Sequence, residues 1–152
     1  VVGQTRNMAV TGGILATATN SVIENCYASG TVTVVDNQSA GGITGYTYGD
    51  STVRNCFALN ASIAASSYAH RIAARTLGSE VATLENNFAL ADMPVNIPAA
   101  TEDRTAGWMG IDKTSEEAQS KETFAQSLGW NFESVWLWDE VSLCPMLKSF
   151  VA

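Results

Sequence analysis

Between residues 10 and 66 the apolar residues come in short runs interleaved with Thr and Ser, and no run at helical spacing spans the stretch. Thr31-Val32-Thr33-Val34-Val35 and Ser51-Thr52-Val53 are rich in β-branched residues, and Gly, Asn, Asp and Ser punctuate them. This is strand-and-turn composition. The punctuation is periodic. Asn25-Cys26-Tyr27-Ala28 returns as Asn55-Cys56-Phe57-Ala58 and again as Asn86-Asn87-Phe88-Ala89, about 30 residues apart. Upstream of each copy, Gly12-Gly13-Ile14 returns as Gly41-Gly42-Ile43 and as His70-Arg71-Ile72, 29 positions apart each time. One unit has too few apolar residues to close a core, so the units must stack and bury their inward faces on one another. The pattern predicts an all-β parallel β-helix of three to four coils over residues 1–99, right-handed by the usual hand of such coils. A small mixed α/β cap over residues 100–152 should complete the chain.

Stacking places equivalent residues about 4.8 Å apart along the axis. Asn25, Asn55 and Asn86 then form one ladder, at corners where Asn tolerates the tight bend and its amide can donate to the next coil. Tyr27, Phe57 and Phe88 form a second ladder, whose direction the pattern leaves open. Cys26 and Cys56 form a third, which Asn87 ends, and strand alternation turns Cys and Ala inward together. In-register α-carbons are within disulfide range, but parallel side chains keep the β-carbons beyond the usual ~3.8 Å, so two buried free thiols are expected. Cys144, before Pro145, reads as a buried thiol in the cap.

The C-terminal third breaks the period. Asp92-Met93-Pro94, Ile97-Pro98 and Thr101-Glu102-Asp103-Arg104 mark a connector. Thr114-Ser115-Glu116-Glu117 reads as a capping box opening a short helix, and a second helical segment from Glu122 to Leu128 should stop at Gly129 in a left-handed conformation. All four Trp (108, 130, 136 and 138) fall here, beside Phe124, Phe132 and Phe150. The end of a stacked array exposes its apolar interior, and large aromatics can plug it. Trp130 and Trp136 are therefore expected to pack on the last coil, around Phe88 and Leu90. Trp136 and Trp138 share one strand face, which could leave one of them accessible to a sugar ring.

The pattern Gly-Gly-Ile-x-Gly-Tyr, a Gly-Asp turn, then Val-x-Asn-Cys-Phe-Ala resembles the GLUG-motif repeat, most closely at residues 41 to 58. In residues 12 to 32 Ala16-Thr17 replaces the Gly-Tyr pair, and in 70 to 91 Ala74-Arg75 does. The closing segment from Thr123 to Phe132, with Val135-Trp136 and Pro145-Met146-Leu147, is similar to the segment after the last repeat in those proteins. The resemblance implies the C-terminal portion of a bacterial adhesin-like chain, secreted or on the cell surface. It speaks to location more than to activity.

Charge and composition narrow the partners. The formal charge is −7, from 8 basic and 15 acidic residues, without a Lys/Arg cluster, which argues against nucleic acid and anionic membranes. No stretch approaches the roughly 20 apolar residues of a membrane span, and no signal peptide is evident. The chain begins Val1-Val2-Gly3, and an open strand edge there is a pairing liability, so more coils of a larger parent chain are expected before Val1. Polar, uncharged partners such as host or environmental glycans, or other surface proteins, suit this surface.

Candidate chemistry is sparse. A polysaccharide lyase or hydrolase on a β-helix needs carboxylates clustered in one groove. Glu24, Asp36, Asp50, Glu80, Glu85 and Asp92 instead fall in different registers, and Glu24, Arg54 and Glu85 read as an alternating charge ladder. The lone His70 makes neither a Ser-His-Asp triad nor a zinc site, and the Gly-Gly-x-Gly-x-Asp repeat that ligates calcium is missing. No cofactor or metal is expected. The expected function is a non-enzymatic spacer or binding module, with a polysaccharide-active enzyme fragment or carbohydrate-binding module as the rival. Trp136, Trp138, His70 and Arg71 are the residues singled out as a ligand surface.

Overall fold

The computed structural model describes residues 2–3, 10–35, 39–77, 82–96 and 106–150. After β1 (Val2–Gly3) come three coils, each of four strands. Coil 1 comprises β2 (Val10–Gly12), β3 (Leu15–Thr19), β4 (Val22–Glu24) and β5 (Tyr27–Val34). Coil 2 comprises β6 (Ser39–Gly41), β7 (Thr44–Tyr48), β8 (Thr52–Arg54) and β9 (Phe57–Ala64). Coil 3 comprises β10 (Tyr68–His70), β11 (Ala73–Leu77), β12 (Thr83–Glu85) and β13 (Phe88–Leu90). Corresponding strands pair in parallel, giving the sheets β2-β6-β10, β3-β7-β11, β4-β8-β12 and β1-β5-β9-β13. This is a parallel β-helix. Among the described residues, no strand pairs with the outer edges of β2, β3 and β4.

The two repeated sequence markers both fall at bends between strands. Asn25, Asn55 and Asn86 all hold positive φ, at 52°, 52° and 48°, and each opens the turn into the fourth strand of its coil. Asn86 Nδ2 donates to Asn55 Oδ1 at 2.8 Å, so the ladder is hydrogen-bonded side chain to side chain. At the Gly pairs the constraint is space. A β-carbon on Gly13 would stand 2.2 Å from the carbonyl oxygen of Gly42, and one on Gly42 would stand 2.1 Å from that of Arg71. Each coil presses its backbone onto the next, and only glycine fits.

Among the described residues no full coil follows coil 3, and its marker is His70-Arg71 in place of the Gly pair. After β14 (Val95–Asn96), which pairs with β9, α1 (Ala106–Met109) crosses the end of the stack, and the Trp108 carbonyl accepts the Ile72 N–H at 2.8 Å. β15 (Ile111–Lys113) then adds in register to β13. Room that a next coil would fill is taken by side chains. The His70 ring lies 5.1 Å from that of Trp108. Arg71 donates to the carbonyls of Leu90, Met109 and Gly110 and pairs with Asp112 at 2.6 Å.

The interior is a narrow column of Ile23, Val32, Ile43, Val53, Cys56, Ile63 and Ile72, with Ala28, Ala58 and Ala89 packed along it. Cys56 and the Ala ladder face inward as the strand alternation predicts. Cys26, expected to be buried, is only half-buried, and among the described residues no strand lies over it as coil 1 lies over Cys56. In the third coil Asn87 takes over with two hydrogen bonds to coil 2: its Oδ1 accepts from Cys56 N at 3.0 Å and its Nδ2 donates to Val53 O at 2.7 Å.

Candidate functional site

The aromatic ladder Tyr27, Phe57 and Phe88 points away from this column, onto the outer wall of the helix. Residues after Lys113 fold against that wall. Thr114 caps α2 (Ser115–Ala118) through the capping box with Glu117, and a π-helical segment over Thr123–Ser127 ends before Gly129 at φ 72°. An antiparallel hairpin, β16 (Trp136–Asp139) with β17 (Cys144–Leu147), completes the layer. Phe57, Phe88, Ala118, Phe124, Leu128, Trp130 and Trp136 form a second apolar core between layer and wall.

The layer grips the Asn corners one by one. At coil 3, Asn86 Nδ2 donates to Ser127 O at 3.0 Å. At coil 2, the Trp130 indole Nε1 donates to Asn55 O at 2.8 Å. At coil 1 the wall and the layer part, and Asn25 lines a groove of about 740 Å³. Ile14, Cys26 and Tyr27 form its coil side, and Val135, Trp136, Met146 and Leu147 its roof. Glu24 is the one carboxylate among the lining residues, and it is tied to Arg54 at 2.7 Å, as the charge ladder predicts.

Two ionisable groups in this groove are displaced from their ordinary values. Contact with the Cys56 thiol lowers the Cys26 thiol to about 7, against opposing effects of burial and of Glu24. Burial, with Cys144 beside it, pushes the Tyr27 phenol up.

The structure does not bring the four singled-out residues together. Trp136 is buried and stacks on Trp130, with ring centroids 4.4 Å apart at 20°. Trp138, on the same strand face, is half-buried against Phe124 and Phe132. His70 and Arg71 are buried at the far end of the stack, held by Trp108, the end carbonyls and Asp112, with His70 Nδ1 also 2.8 Å from the carbonyl of Ala74. Trp130 and Trp136 do not pack chiefly around Phe88 and Leu90. Each lies 6.2 Å from Tyr27, two coils away, because the layer lies along the wall and Trp108 takes the end. Cys144 is likewise half-buried, next to Ser142, where a fully buried thiol was expected. Sequence reasoning missed Ile14, Cys26 and Tyr27 as neighbours of Trp136. Asp36 and Glu80, two of the candidate carboxylates, lie outside the described residues.

With the coils and the groove in place, their relation to known proteins is direct. The model of the GLUG motif matches residues 9–33 and 36–64. The chain carries GLUG-motif repeats. The matches coincide with coils 1 and 2, so one GLUG repeat is one four-stranded coil, its Gly pair pressed under the next coil and its Asn-Cys corner opening the long strand. Coil 3, whose Gly pair has become His70-Arg71, lies beyond both GLUG matches. No curated protein and no solved structure matches the chain.

Proposed function

We propose that this GLUG-repeat segment is a non-enzymatic binding module of a larger bacterial protein, secreted or displayed on the cell surface. Its contact surface is the groove at coil 1. The observation that carries this reading is the groove itself. The C-terminal layer grips the Asn corners of coils 2 and 3 and packs on Tyr27 of coil 1 but parts from the Asn25 corner, which leaves an open, mainly apolar surface beside the polar Asn25 and Asn131. Such a mixture suits a glycan or a protein loop, whose apolar faces pack on Tyr27 and whose polar groups meet the two amides. The rival reading, a polysaccharide-active enzyme, needs two converging carboxylates. Glu24, paired with Arg54, supplies one.

A glycan array probed with the intact parent protein and with a Val135→Arg variant tests the proposal. Val135 is 45% exposed at the rim, so the substitution fills the groove without entering either core. Loss of specific binding in the variant, with an unchanged circular dichroism spectrum, is the expected result. Equal binding by both proteins would move the contact elsewhere, binding by neither would make the segment a spacer, and release of shortened saccharides would restore the enzyme reading.

A further inference from the structure

We propose that Cys26 and Cys56 are a dithiol couple that reacts with a small-molecule disulfide entering the groove, Cys26 attacking and Cys56 resolving. This goes beyond the binding-module reading and does not rest on it.

The geometry assigns both roles. Each cysteine precedes a paired residue, Tyr27 or Phe57, and Phe57 N donates to Cys26 O at 2.9 Å, so the two are stacked in adjacent coils. Their α-carbons are then one strand spacing apart, about 4.8 Å, inside the range that a disulfide bridges, and closing the bridge requires the parallel side chains to swing together until the β-carbons, ordinarily held beyond ~3.8 Å in such a ladder, reach that separation. Access differs sharply between them. Cys26 lines the groove, whereas Cys56 is 0% exposed, with its sulfur against the carbonyls of Arg54 and Ile23. A reagent can reach the first sulfur and not the second.

The chemistry has the same asymmetry, since the thiolate is the nucleophile and Cys26 is the partner from which the shared contact draws the proton at lower pH. The Cys26 thiolate attacks one sulfur of R–S–S–R, forming Cys26–S–S–R and releasing R–S⁻. The Cys56 thiol gives its proton to that R–S⁻ and attacks the Cys26 sulfur, expelling a second R–S⁻. The product is a Cys26–Cys56 bridge. Two thiols have lost two electrons, and the reagent has gained them as two R–SH, the second protonated by water after Cys26 surrendered its proton. The bridge ties coil 1 to coil 2 directly beneath the groove.

Trypsin separates the three cysteines, because Cys26, Cys56 and Cys144 fall in residues 7–54, 55–71 and 122–148. Native protein incubated with 2-hydroxyethyl disulfide near neutral pH should yield, without reductant, 7–54 joined to 55–71. Cys56→Ser should instead accumulate the hydroxyethyl adduct on Cys26, and Cys26→Ser should leave Cys56 unmodified. If 7–54 joins 122–148, if Cys144 is modified before Cys26, or if native Cys26 stays unmodified while the unfolded chain reacts fully, the couple is overturned. The wild-type digest decides this even where a variant fails to fold.

Discussion

Trp130 donates its indole N–H to the backbone carbonyl of Asn55 at 2.8 Å, across 75 positions of sequence. The same ring stacks on Trp136 and touches Phe124 and Tyr27. One side chain thus fastens the C-terminal layer to a corner that the repeat itself defines. Trp130→Phe keeps most of the apolar contact and strands the carbonyl, so it should cost about 1–3 kcal/mol in urea unfolding. Trp130→Ala removes the packing too and should cost about 3–5 kcal/mol. Equal, small losses for both would mean that the layer contributes little to stability.

Two glycines should respond to alanine in opposite degree. At Gly42 the added carbon meets the Arg71 carbonyl at 2.1 Å, and a backbone so confined by coil 3 has nowhere to move. Gly42→Ala should therefore destabilise by more than about 3 kcal/mol or prevent folding. Gly129 has open space around it and only its φ of 72° to preserve, so Gly129→Ala should cost about 1–2 kcal/mol. Comparing their denaturation midpoints checks whether steric pressing between coils, more than turn geometry, makes the Gly pair obligatory.

Arg71 and Asp112 form an ion pair whose two ends are unequal. The Arg71 side chain is 7% exposed and that of Asp112 is 70% exposed. Asp112→Asn removes charge from a solvated partner and should change stability by less than about 1 kcal/mol. Arg71→Met leaves the Leu90, Met109 and Gly110 carbonyls without their donor, and should cost about 2–5 kcal/mol. If Asp112→Asn proves as damaging as Arg71→Met, the pair matters more than the carbonyls.

Alkylation should distinguish the cysteines by both access and pH. Iodoacetamide should label Cys26 in native protein with a rate that rises through about pH 7. The sign is set by the cause: Cys56 stabilises the Cys26 thiolate, so the reactive form dominates above that pH and is lost below it. The same contact, and then burial, push Cys56 the other way, and it should label only on unfolding. A midpoint in the ordinary thiol range, above pH 8, would contradict the contact.

The repeat was legible because its markers are backbone necessities. Asn at a positive-φ corner and Gly under a neighbouring carbonyl admit few substitutes, so they recur visibly. Capping box and glycine stop were legible for the same local reason. The direction of the aromatic ladder was not. Tyr27, Phe57 and Phe88 look in composition like core residues of the helix, and only the packed C-terminal layer shows that they form a second core outside it. Cys26 was misjudged by equivalence: it shares a ladder with Cys56, but burial within a stack depends on what lies over each coil, which a period cannot express. The groove combines both difficulties, since its two sides lie about a hundred positions apart.

The grip of the C-terminal layer on successive Asn corners makes it a gauge. Ser127 meets the corner of coil 3, Trp130 that of coil 2, and the reach between them matches one strand spacing. Duplicating coil 2 in place would leave an identical Asn corner under Trp130 but put a copy of Phe57 where Tyr27 packs and carry Tyr27 one step out of reach. Growth by internal duplication is thus tolerated upstream of these coils and penalised beneath the layer. The reach of the layer would fix how many turns it covers, however long the array before them becomes.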